Sequence, residues 1–197
     1  MNRRVLLLSI SLLPVMIASG MIYSVLPIYL NQELGAGKVQ VGTLFTLGAL
    51  TGTLTSLGIG KLADRFGKIP LILFSQICFS AVMILYSFIN SYIFAYPIHV
   101  FEGFAWASLG VSAPALIADV SRKGERGEAM GIYNTFWGLG WVIGPILGGG
   151  LAELFGFRIM LRVSFLMIML GLALSLMLIK GNVMSGPSEA PSEVSEA

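Results

Sequence analysis

Gly60–Gly67 reads GKLADRFG, and Gly149–Gly156 reads GGLAELFG. Gly60, Leu62, Ala63, Asp64, Phe66 and Gly67 recur 89 positions later as Gly149, Leu151, Ala152, Glu153, Phe155 and Gly156. Gly42 and Gly131 keep the same offset. Each copy closes one long apolar segment and introduces the next. A repeat of this kind inside an apolar chain marks a duplicated fold.

Working outward from the repeat, six apolar runs appear: Val5–Leu30, Val39–Gly60, Ile69–Ile89, Tyr92–Ala118, Ala129–Ala152 and Ile159–Ile179. They hold 21 to 27 residues each, and a helix needs about 20 to cross a bilayer. Hydrophobic residues make up 56% of the chain and charged ones 11%, with a mean hydropathy of +0.86. Soluble domains carry roughly 25% charged residues, so too little polar surface is present to face water all round. The 24 glycines lie mostly inside the runs, as membrane helices permit. The expected fold is an all-α membrane protein whose six transmembrane helices form two inverted three-helix repeats, about 5–89 and 92–179. Three spans per unit is an odd number, which turns the second unit over in the membrane.

Basic residues set the orientation. With the N-terminus inside, cytoplasmic segments hold Arg3, Arg4, Lys61, Arg65, Lys68, Arg122, Lys123, Arg126 and Lys180. Outer segments hold Lys38 and Arg158, with Arg162 just within the sixth span. Nine against three places both termini in the cytoplasm of a multi-pass cell-membrane protein. The net charge of +2 follows from that topology and is not a nucleic-acid footprint. Arg3-Arg4, an apolar run and Ala18-Ser19-Gly20 imitate a signal peptide, but apolar sequence continues through Met21–Leu30, so a retained first span is expected. After Lys180 the chain turns to GNVMSGPSEAPSEVSEA, a composition that cannot build a core. Residues 1–180 are expected to form the membrane domain and 181–197 a disordered cytoplasmic tail or linker.

The loop residues resemble a known family. Gly60-Lys61-Leu62-Ala63-Asp64-Arg65-Phe66-Gly67-Lys68 is similar to the motif between helices two and three of the major facilitator superfamily, departing from it at Ile69, which replaces a second basic residue. Span five carries Gly140-x-x-x-Gly144-Pro145-x-x-Gly148-Gly149, which resembles the antiporter motif of the drug/proton members. Span four has His99-x-x-Glu102-Gly103 where that group usually has Arg-x-x-Gln-Gly, and Phe157-Arg158 resembles the start of helix six. The resemblance covers Val5 to about Lys180. It implies a secondary transporter, proton-coupled, moving a small molecule outward. It also implies that Asp64 and Arg65, with Gly60, Gly67, Lys68 and possible network partners Asp119 and Arg126, form a gate closing the cytoplasmic side against a second six-helix half. For Gly140, Gly144, Pro145, Gly148 and Gly149 it implies a bend that shapes the pathway and limits leak.

The residues also have plainer readings. Gly60 and Gly67 permit a tight turn, and Pro70 suits a first helical turn. Asp64 should be ionised and paired among Lys61, Arg65 and Lys68. Gly140, Gly144 and Gly148 lie on one face and let another helix approach. Gly48, Gly52, Ser56 and Gly60 form a second small-residue stripe, read as packing. His99 and Glu102 lie 7 and 10 residues into span four, roughly 10–15 Å deep, three apart on one face. An ionisable pair at that depth is a functional hypothesis by default. Glu102 is the candidate for a coupling proton; the plainer reading is a neutral acid hydrogen-bonded for packing. Tyr23, Gln76, Trp106, Asn134 and Trp137 are either cavity lining or helix contacts. Arg162 is expected to snorkel outward and pair with Glu153.

One cysteine, Cys78, and one histidine offer no disulfide, zinc spacing or nucleophile motif, so no enzyme, catalytic residue, metal or cofactor is expected. The expected partners are the lipid bilayer, a small-molecule substrate, a proton, and a second half. That half is supplied by a homodimer or a separate chain, or the sequence is a truncated product. A non-transporting binding or regulatory remnant is the competing class.

Overall fold

The computed structural model describes residues 3–180. The tail expected over 181–197 lies outside them. Six helices carry the fold: α1 (Arg3–Gln32), α2 (Lys38–Phe66), α3 (Lys68–Tyr86), α4 (Ala95–Asp119), α5 (Arg126–Phe155) and α6 (Phe157–Lys180). All six segments are long and apolar enough to cross a membrane, and no strand occurs among the described residues.

The octets are more helical than expected. Gly60 lies inside α2 with open space where a side chain would stand, so it makes no turn. Leucine and alanine sustain the helix through the motif, and Ala63 is buried beside Ile59, Leu71 and Ala107. The turn is Gly67 alone, at φ +90°, a conformation that disfavours any residue with a Cβ. Gly156 repeats it at φ +84° between α5 and α6. The Gly67 N–H donates to the Ala63 carbonyl at 3.0 Å, and the Gly156 N–H donates to the Ala152 carbonyl at 2.9 Å. Both pairs keep the 89-residue offset.

Helix pairing obeys the same exchange. The most extensive pairs are α1 with α5 and α2 with α4, followed by α3 with α4, α1 with α6, and α3 with α6. Exchanging the repeats (α1 for α4, α2 for α5, α3 for α6) turns the first pair into the second. It turns α3–α4 into α6–α1 and leaves α3–α6 unchanged. Charge contacts at the two ends follow suit. Lys68 Nζ at the start of α3 meets Asp119 Oδ2 at the end of α4 at 2.9 Å. At the opposite face Arg158 Nε, at the start of α6, meets Glu33 Oε2, just past α1, at 3.5 Å. Arg158 also donates to Asn90 Oδ1 at 2.6 Å and to the Ile89 carbonyl at 3.2 Å. The bundle is thus two interlocked inverted units. α1 is the most enclosed helix, while α2 and α5 are the least covered.

Candidate functional site

His99 and Glu102 project from one face of α4, each 2% exposed. Their depth is set by glycines. A Cβ built on Gly103 would stand 2.5 Å from the Gly48 carbonyl oxygen and 2.8 Å from Thr51 Cβ. One built on Gly48 would stand 3.2 Å from the His99 ring. Small residues on both helices therefore let α2 lie directly on the polar face of α4.

A buried network surrounds the pair. The Trp106 indole N–H donates to the Tyr23 hydroxyl, which donates in turn to Glu102 Oε1. Glu102 Oε2 has no hydrogen-bond partner and lies 3.6 Å from His99 Nδ1. The same Nδ1 shares a hydrogen bond with the Tyr86 hydroxyl. Tyr86 is fixed from behind, because the Tyr29 hydroxyl donates to its carbonyl at 2.8 Å. α1, α3 and α4 each contribute polar atoms to one cluster, which in a low-dielectric interior are strongly interdependent.

The cluster opens onto a half-open cavity of about 530 Å³ lined from α1 (Tyr23), α2 (Phe45, Gly48, Gly52), α4 (His99, Glu102, Gly103, Trp106) and α5 (Trp141). No residue of α3 or α6 lines it. Aromatic rings form its walls: Tyr23 stands 5.6 Å from Trp106, 6.1 Å from Phe45 and 6.4 Å from Trp141 between centroids. An apolar pocket with a few convergent polar groups is the usual form of a small-molecule site. Glu102 is thus held through one carboxylate oxygen, with the other left without a hydrogen-bond partner. Among the described residues no group of three metal-ligating side chains occurs.

The other sequence candidates separate into two places. Asp64, Arg65, Lys68, Asp119 and Arg126 lie at the face carrying the N-terminus. Asp64 is 82% exposed at its side chain and among the described residues reaches only Lys68, at 3.9 Å, so the pairing expected with several bases is loose. Lys68 turns to Asp119 instead. The Arg65 guanidinium rests over Phe66 at 5.2 Å. Among the described residues Arg126, at the start of α5, forms no ion pair with Asp64 or Asp119. Gly140, Gly144 and Gly148 meet α1: a Cβ on Gly140 would stand 2.6 Å from the Met16 backbone, and one on Gly144 2.5 Å from the Ile17 carbonyl oxygen. Gly148 faces the Met21 backbone in the same way, and Pro145 packs on Gly20. Gly149 faces open space. The motif is therefore the α1–α5 packing seam, and α5 stays helical through Pro145.

Tyr23 and Trp106 line the cavity, whereas Gln76 is buried and donates to Ser175 Oγ at 3.0 Å. Trp137 packs on Trp106 at 5.7 Å, and Asn134 is exposed. Phe45, Tyr86 and Trp141 were not singled out by sequence. Tyr86 had a signal: it lies about one turn before the Asn90-Ser91 link and His99 about two turns after it, which brings the two toward a common depth across the α3–α4 hairpin.

The family model of the Major Facilitator Superfamily matches residues 8–196. An uncharacterized MFS-type transporter of Methanocaldococcus jannaschii is 30% identical over 158 residues, 80% of this chain and 41% of the relative. The class B tetracycline resistance protein of Escherichia coli is 31% identical over 68% of this chain and 34% of its own. The quinolone resistance protein NorA of Staphylococcus aureus is 28% identical over 78% and 39%. The chain thus spans about two fifths or less of the length of these relatives.

Proposed function

This chain belongs to the Major Facilitator Superfamily, and we propose that it is one six-helix half of a proton-coupled efflux transporter for a small molecule. The observation that carries this reading is Glu102, buried with one free oxygen at the wall of an aromatic cavity. Beside that cavity α2 and α5 leave large apolar side chains uncovered, among them Leu54, Leu57, Val142 and Ile146. A second six-helix unit, from another copy or a separate chain, would cover them and complete the site. Halves of this fold share orientation about an axis along the membrane normal, so a parallel pair is allowed. The names of the tetracycline and quinolone resistance relatives support outward movement of a small organic molecule.

The distribution of basic residues supports an orientation with both termini in the cytoplasm. Residues 1–180 are the membrane domain in this reading, with repeat one about 5–89 and repeat two about 92–179. In that orientation Asp64, mostly exposed and weakly paired, faces the position of the second unit as a gate residue, with Arg65 beside it and Lys68–Asp119 bracing the helix ends. Glu102 carries the proton, and Tyr23 holds it in the cavity.

Reconstitution tests the reading. The purified chain is placed in vesicles holding a trapped pH-sensitive dye, and tetracycline or norfloxacin is added outside. Drug-dependent proton movement that disappears in Glu102→Gln is the expected outcome. Drug flux without proton movement would contradict the coupling.

A further inference from the structure

The lipid-facing side of the bundle carries a feature that the transport reading does not use. On α6, Ile159, Arg162, Leu166, Met169, Leu170, Ala173 and Met177 are all exposed and share one helix face. Neither α6 nor α3 lines the cavity, so this face looks into the bilayer. Arg162 is the only charged residue in the stripe. It sits five residues into α6, about 8 Å below the helix end. The expected pairing with Glu153 does not form. Among the described residues the contact of its guanidinium is with the Phe88 ring, 5.6 Å from the centroid. Phe88, 63% exposed just past α3, draws the side chain toward the interface. There a cation facing hydrocarbon is stable only with water or an anion beside it.

Leu85 and Ile89, three residues before Phe88 and one after it, belong to a second hollow. Leu85, Ile89, Phe94, Pro97, Ile98 and Phe101 line an apolar groove of about 330 Å³ between the end of α3 and the start of α4. On the other side the lining runs from Phe94, just before α4, to Phe101, seven residues further on. A positive group at the interface above an apolar channel running into the membrane matches a phospholipid: phosphate above, acyl chain below.

We infer that this corner binds an anionic phospholipid, its phosphate on the Arg162 guanidinium and one acyl chain along the Leu85–Phe101 groove. The anionic class follows from net charge: every phospholipid offers a phosphate, but a zwitterionic headgroup brings its own cation beside the arginine, whereas an anionic one brings none. Arginine suits the task, since its planar fork bonds two phosphate oxygens at once.

The test is lipid titration of the delipidated chain in detergent, read by native mass spectrometry, with phosphatidylglycerol and phosphatidylcholine as probes. Phosphatidylglycerol is expected to bind about tenfold more tightly, the size of one charge-assisted contact. Arg162→Gln should abolish that preference, and Leu85→Trp, which fills the groove from an exposed position, should weaken both lipids. Equal binding of the two lipids to the unaltered chain would overturn the site, as would a phosphatidylglycerol preference that survives Arg162→Gln.

Discussion

The α1–α5 and α2–α4 seams are the same contact made twice, once in each inverted repeat, and they are used differently. In both, glycines bring two backbones together: Gly20, Gly140, Gly144 and Gly148 in the first, Gly48, Gly52 and Gly103 in the second. Along the first, α1 presents the backbones of Met16, Ile17 and Met21 to those glycines. Along the second, α4 presents His99 and Glu102, and the glycines of α2 become the wall of a cavity. One copy of the duplicated contact clamps the bundle. Its counterpart carries the buried His99–Glu102 pair, and Tyr23 of α1 reaches across to it. Glycine spacing alone therefore does not identify a functional helix pair; what matters is what the glycines press against.

The largest expected effect comes from breaking the clamp. Gly144→Val would drive side-chain atoms into the Ile17 carbonyl and the Gly20 backbone, which have no rotamer to yield. Overpacking costs about 1–3 kcal/mol even where side chains can move, so the folded species should be largely lost on size-exclusion chromatography in detergent. A folded Gly144→Val chain with failed transport would reverse the assignment of the two seams. Gly110→Ala, at the cavity with open space before it, should fold normally.

Next in size is Glu102→Gln. The amide nearly matches the acid in shape, so thermal unfolding should shift little, while proton-driven flux in vesicles should fall to background. Tyr23→Phe removes the donor to Glu102 Oε1 but keeps the ring against Phe45 and Trp106. A hydrogen bond to a charged group contributes about 1.5–3 kcal/mol, so flux should drop on the order of tenfold or more with the fold intact. The smallest effect belongs to Lys68→Gln. The Lys68–Asp119 contact is partly exposed, and such pairs contribute about 0–1 kcal/mol. The unfolding midpoint should move by a few degrees at most.

The repeat made the fold legible, because a shared octet at a fixed offset leaves few ways to arrange six apolar runs. Span existence followed from length, but helix ends did not. The octet looked like a loop from its glycines and charges, yet α2 runs to Phe66 because Leu62 and Ala63 favour helix and only Gly67 needs a positive φ. His99 and Glu102 stood out because charge in an apolar run is costly. Their partners did not, since Tyr23 and Tyr86 are ordinary membrane-helix residues until tertiary contact brings their hydroxyls to the pair. The glycines of span five showed a close approach without showing that α1 was the helix approached.

The central claim is that Glu102 is a titrating group inside the cavity, and the chain reports on this directly. Its three tryptophans are Trp106, Trp137 and Trp141; the first and last line the cavity, and the other packs on Trp106. Tryptophan emission of the purified chain, followed across pH, should show a transition that disappears in Glu102→Gln. A transition unchanged in that variant, or none in the unaltered chain, would contradict the account.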